Sequence, residues 1–272
     1  MYFGVFTPQY SALTTEQTTT SPLGTILAFN ETMKIKTLSL LFAVSTLSYA
    51  SPPCGGTVSC ADDLSSVASS QGTSSSDRGI TLRTNAFENQ GLRSEVLELA
   101  LSAYETAWEN GDTTKRIITV IDFSMPSSEK RMWVIDLTDN TLLFRELVAH
   151  GSGSGANRAS SFSNVEDSHQ SSIGLLKTAE TYTGKHGYSL KLDGLEPGWN
   201  SNARDRYIVV HAANYVSEEF VARNGRLGRS WGCPALRNEI SKEVIDTIKG
   251  GSLMFAYYPD QRWLNNSEYL ND

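Results

Sequence analysis

The stretch RYIVVHAANYVSEEFVARNGRLGRSWGCPALRNE, Arg206 to Glu239, changes character three times. "RYIVVH" is β-rich and reads as a strand ending on His211. A loop punctuated by Gly225, Gly228 and Gly232 follows, carries Cys233, and gives way to a helical pattern from Asn238. Strand ends at a sheet edge are places where a side chain meets a loop from elsewhere in the chain. Glycines let such a loop project one side chain while aiming successive backbone N–H groups at one point. Ser230-Trp231-Gly232-Cys233 could thus supply oxyanion donors beside a nucleophile, with His211, 22 positions earlier (233 − 211), as a candidate base, although a lone Cys and a lone His are structural more often than catalytic.

Outward from this stretch the pattern is mainly β with a few helices. A helix fits Leu92 to Trp108, where Val96, Leu97, Ala100, Leu101, Tyr104 and Trp108 recur at three- and four-residue steps and Asn110-Gly111 supplies the stop. From Arg116 the runs "IITVIDFS", "RMWVIDLTDNTLLFRELVAHG", "SIGLLKTAETY", "YSLKLDGL", "YIVVHAA" and "SLMFAYYP" read as strands. Asp139-Asn140 fits a hairpin turn, and "NEISKEVIDTIKGG" a second helix with Ile240, Val244, Ile245 and Ile248 on one face. Residues 91–262 are expected to form one domain, with 263–272 as a tail and the Ser- and Gly-rich 51–90 as a flexible leader.

"MKIKTLSLLFAVSTLSYASPP", Met33 to Pro53, has the three parts of a secretory signal. Lys34 and Lys36 precede a short apolar segment, and Ser48-Tyr49-Ala50 offers a small-x-small cleavage site. The apolar part falls short of the roughly 20 residues a spanning helix needs, so cleavage after Ala50 is expected, leaving no membrane span in the mature chain. Residues 1–32 are expected to be untranslated sequence ahead of a start at Met33; the alternative is an extension before a short anchor. The expected location is periplasmic or secreted. Lys+Arg number 23 against 30 Asp+Glu in 272 residues, a net charge of −7 with no basic stripe to track phosphates, so nucleic acid is not an expected partner.

Export puts the cysteines in an oxidising compartment. Cys54 and Cys60 are close enough in sequence to bridge each other, which leaves Cys233 as nucleophile or small buried hydrophobe. A free thiol with a pKa near 8.5 supplies only about 3% thiolate at pH 7, and a neighbouring imidazole that lowers it by about two units would raise this to roughly three quarters. His150 and His186 either line the same cleft or occupy ordinary turns; His169 reads as solvated loop. Trp231 either walls the donor site or plugs the core. Asp122 and Asp136 alternate with apolar residues and are expected to face outward. No metal-ligand cluster, phosphate loop or dinucleotide fingerprint is present, so neither metal nor cofactor is expected.

"VVH", eighteen intervening residues, and then "SWGC" resembles the signature of the murein L,D-transpeptidase catalytic domain family. The ordered phrases "VIDFSMPSSEKRMWVIDL", "VAHGSGSG", "FSN", "SSIGLLKTAETYTGKHGYSLKLDGLEPGWN" and "GRLGRSWGCPAL" extend the likeness from about Leu92 to Tyr258. The resemblance implies a β-sandwich catalytic domain acting on peptidoglycan stem peptides. Cys233 would form a thioester and His211 would move the protons. Ala212 would orient the base through its carbonyl, and the Gly232 and Cys233 N–H groups would hold the oxyanion. Asn238 matches the family, whereas Trp231 stands where many members have His and Ala235 where they have Arg. That missing arginine is one that Arg229 or Arg237 would have to replace as the stem-carboxylate fork. Three other readings stand beside a transpeptidase. An L,D-carboxypeptidase would use the same dyad, a wall-binding protein would keep the fold without chemistry, and a redox protein would rest on three cysteines lacking a Cys-x-x-Cys pattern.

Overall fold

The computed structural model describes residues 87–271. The signal-like segment, Cys54 and Cys60, and nearly all of the expected leader lie outside them. Helix α1 (Ser94–Glu109) comes first, followed by β1 (Ile117–Asp122), β2 (Met132–Asp136) and β3 (Thr141–Glu146). The long hairpin β4 (Gly174–Gly184) and β5 (Gly187–Gly194) precedes β6 (Val209–Ala212), helix α2 (Glu218–Asn224) and the two-residue β7 (Ala235–Leu236). Helix α3 (Asn238–Ile248), β8 (Leu253–Tyr257) and the short α4 (Gln261–Leu264) complete it. The mainly β expectation holds.

All eight strands join one sheet in the order β3-β2-β1-β8-β4-β5-β6-β7. Most neighbours run antiparallel, but β1 with β8 and β6 with β7 are parallel. The β2–β3 turn is the expected hairpin, with Asn140 at φ 54° supplying the left-handed residue such a turn needs.

Alternation along the strands divides the core. Ile118, Val120, Trp133, Ile135, Leu253 and Phe255 point to one face and pack under Val96, Leu97 and Ala100 of α1. Ile121, Met132, Val134, Met254 and Ala256 point to the other, where they share a cluster with Leu190, Leu192, Val210 and Leu236 from the far half of the sheet and with Val244, Ile245 and Ile248 of α3. The two halves of one sheet thus enclose a common core, which is sandwich packing made from a continuous ladder. Each fully buried Leu, Ile or Val contributes about 1.5–3 kcal/mol, so this interior holds the rim strands β6 and β7 in place although they are short.

Three expectations need correction. Residues 263–272 are no tail: Trp263 is fully buried, donates its indole N–H to Glu196 at 2.8 Å, and lies tilted against Phe255 with ring centroids 5.5 Å apart. The domain also begins earlier than residue 91, because Phe87 is core and the Gln90 carbonyl accepts from the Trp133 indole. Asp122 is wholly buried instead of facing outward, its carboxylate accepting from Arg93, Ser124 Oγ and the Ser124 N–H.

Candidate active site

Parallel pairing of β6 with β7 sets His211 opposite Ala235, two residues beyond Cys233, so the ladder itself draws the two together across the intervening chain. Both line a cleft of about 560 Å³. Its other walls come from the β4–β5 hairpin tip (Lys185, His186), the 163–172 loop (Glu166, His169), the turn before β6 (Arg206, Tyr207) and the cysteine loop (Arg229, Trp231).

His211 is almost completely buried, and its Nδ1 lies 2.8 Å from the Ala212 carbonyl oxygen. A carbonyl only accepts, so Nδ1 carries the hydrogen and Nε2 is left as the proton acceptor. Burial, with smaller contributions from His186 and Lys185, holds the imidazole pKa below its ordinary value. The imidazole rests neutral.

Cys233 is half-buried and unbridged. Its sulfur accepts from the Val209 N–H and donates to the Tyr207 carbonyl, each at 3.5 Å. Burial pushes the thiol up from its ordinary pKa; the Val209 N–H, Arg206 and Lys185 act the other way without overcoming it. This reverses the expectation of a lowered thiol. In the resting cleft the thiol is protonated and the imidazole neutral, so any attack by this sulfur would require its proton to move at the same time.

Ser230 braces the cysteine loop. Its Oγ donates to the Cys233 carbonyl at 2.7 Å and accepts from the Gly232 N–H at 3.1 Å. The Gly232 N–H, expected at an oxyanion, is therefore engaged by Ser230 in the resting structure. Gly232 itself sits at φ 122°, and a Cβ there would meet the Gln170 carbonyl and Ile208 Cδ1, both at 2.8 Å, so no other residue fits without strain. Ser171 Oγ donates to the Gly232 carbonyl at 2.9 Å and accepts from the Gly151 N–H at 3.0 Å, tying the Gly151–Gly155 loop to the backbone just before Cys233.

Of the expected substrate contacts, His186, Arg229 and Trp231 line the cleft and three others do not. His150 is fully buried below the glycine loop, where Nδ1 accepts from the Arg131 guanidinium at 2.7 Å; burial and that charge push its pKa down to about 4. Arg237 forms a two-pronged pair with Glu146 at 2.9 and 2.8 Å, outside the cleft walls. Asn238 opens α3 with an exposed side chain and is not part of the walls either.

Trp231 is 69% exposed, which rules out the core-plug alternative. His169 stacks on it at 4.7 Å with planes 10° apart, and Lys185 Nζ lies 5.7 Å from its ring centroid. His169 was readable only as loop, and Tyr207, at φ 54° with 79% exposure, as an ordinary strand residue. Arg206, whose fork binds Ser172 Oγ and the Gln170 carbonyl at 2.7 Å each, had no local signal at all.

Comparison with family profiles matches residues 88–257 to the L,D-transpeptidase catalytic domain. Comparison with curated proteins finds no match. Among solved structures the chain is similar to an L,D-transpeptidase from Mycobacterium smegmatis, at 12% identity over 53% of this chain and 59% of that one, TM-score 0.33. It is similar also to the helical cell shape determining protein Pgp2 from Campylobacter jejuni, at 11% identity over 58% of this chain and 55% of that one, TM-score 0.36. A third is an L,D-transpeptidase from Stackebrandtia nassauensis, at 15% identity over 65% of this chain and 77% of that one, TM-score 0.33. The chain spans less than two thirds of the first two.

Proposed function

The chain belongs to the L,D-transpeptidase catalytic domain family, and from that premise we propose that it is an exported cysteine L,D-transpeptidase of peptidoglycan. The observation that carries the reading is that Cys233 and His211 open on one cleft while the Ala212 carbonyl fixes the imidazole as a proton acceptor. Cys233 Sγ attacks the carbonyl that joins the L-centre of a stem-peptide diamino acid to a terminal D-alanine. His211 Nε2 takes the thiol proton during the attack, and the Cys233 N–H receives the developing oxyanion. Collapse breaks the C–N bond; the imidazolium returns its proton to the departing D-alanine amine, and the acyl group remains on sulfur as a thioester.

A side-chain amine from a second stem then attacks the thioester. His211 accepts its proton, the C–S bond breaks, and the thiolate leaves and is reprotonated. Water in place of the amine gives trimmed monomer, the carboxypeptidase outcome. Arg229 is the cleft cation that replaces the guanidinium many relatives carry at the position of Ala235. Trp231, stacked on His169, adds an aromatic wall to the same cleft. Export rests on the signal-like residues 33–50, and no helix among the described residues is long and apolar enough to cross a membrane.

Incubating the protein with disaccharide-tetrapeptides and separating the products tests the reading. Cross-linked dimers with release of D-alanine support it; trimmed monomers alone would assign the hydrolytic activity. No product from wild type, or undiminished product from Cys233→Ala, would refute a cysteine enzyme.

A further inference from the structure

The β5–β6 ladder sets Ser189 opposite His211, and the hairpin tip just before Ser189 curls back over that end of the sheet. His186, at the tip, lays its ring on the His211 imidazole with centroids 4.5 Å apart and planes 28° apart. One ring is exposed and the other buried. Stacked imidazoles cannot both be charged without close-range repulsion in a partly dehydrated site, so a proton on the outer ring opposes a proton on the inner one.

We propose that His186 is a positioning residue for the base: its stacked ring fixes the plane of His211, and a charge on it opposes a charge on His211. This rests on the reading of His211 as the base. It reassigns His186 from substrate contact to control of the imidazole. The short link Gly184-Lys185-His186-Gly187 between the two strands holds the ring there, and the tip is tied down by the Lys185 contact over Trp231. Lys185 acts on His211 in the same sense as His186. The cleft around the pair also carries Cys233 and Arg229 of the cysteine loop, Tyr182 of β4, Arg206 and Tyr207 just before β6, Tyr215 just after it, and Glu166, Asp167 and His169 on the facing loop. Among the described residues, His186 alone is in ring contact with the base.

The test is a side-chain ¹⁵N–¹H NMR titration of the full chain, following His211 in wild type, His186→Phe and His186→Ala. His186→Phe keeps an aromatic face but removes the charge, so the His211 midpoint rises by at least about half a unit. The acid limb of kcat/KM moves up in pH by the same amount. His186→Ala also removes the stack, so kcat falls several-fold further while KM holds. His211 titration curves that superpose in wild type and His186→Phe overturn the inference. The titration reads His211 directly, so it decides the point even if wild type turns over no peptidoglycan, an outcome that would instead remove the proposed function.

Discussion

His211 Nδ1 lies 2.8 Å from the carbonyl oxygen of Ala212, the next residue in the chain. The base is oriented by its own backbone, with a neutral acceptor where a carboxylate would raise the imidazole pKa. Burial then dominates and holds the ring in its unprotonated form.

The first consequence concerns pH. A lowered pKa means that His211 keeps its acceptor nitrogen free to more acid conditions than an ordinary imidazole, so the acid limb of kcat/KM falls below about pH 6.5. His211→Gln removes that limb and lowers kcat by about 10²–10⁴. Rate profiles of the two proteins between pH 4 and 8 check both points, and a limb above the ordinary imidazole range contradicts the burial argument.

Ser230 bridges the Gly232 N–H and the Cys233 carbonyl, so Ser230→Ala leaves a buried amide without its partner. The expected cost is about 1–3 kcal/mol in stability. The loosened loop also lowers kcat, by about tenfold or more, with Cys233 still open to alkylation. Chemical denaturation and steady-state kinetics on the same preparation separate the two effects.

Most of the frame is legible in the amino-acid sequence. Hydrophobic periodicity located α1 and α3, alternation located the strands, and Asp139-Asn140 marked a turn. The helix Glu218–Asn224 was missed although Ser217 accepts from the Phe220 N–H at its start and Gly225 closes it at φ 70°. It buries no side chain, and without an apolar stripe seven residues give no periodic signal. The cysteine and its histidine were readable because the glycine loop and the strand end are local features. What surrounds them was not. His150 and Arg237 have the right residue types but are claimed by Arg131 and Glu146, partners 19 and 91 positions away. His169 reaches the cleft only because the 163–172 loop folds over the cysteine loop.

Arg229 and Arg237 should therefore behave oppositely. Arg237→Ala leaves the nearly buried Glu146 unpaired and costs about 1–3 kcal/mol in stability, with KM unchanged. Arg229→Ala, in a cleft wall, raises KM several-fold and leaves stability within about 0.5 kcal/mol. Saturation kinetics and urea melts of the two variants make the comparison.

His150 links stability to acid. Its native pKa of about 4 lies below the ordinary 6.5, so between these values the unfolded chain binds a proton that the folded one does not. Stability is complete above about pH 6.5 and is lost as pH falls towards 4, by roughly 3 kcal/mol for this group; His211 adds a contribution of the same sign. Urea denaturation at half-unit steps across that window should show the decline. Constant stability there would mean that His150 is not held neutral.

The most direct test of the whole account is intact-mass spectrometry of the protein quenched in acid seconds after mixing with a disaccharide-tetrapeptide. The account predicts an adduct equal to the substrate minus one D-alanine. It maps to the peptide holding Cys233, is cleaved by hydroxylamine as a thioester is, and is absent from Cys233→Ala. A wild-type protein that releases D-alanine with no adduct, or with the adduct on another residue, would contradict it.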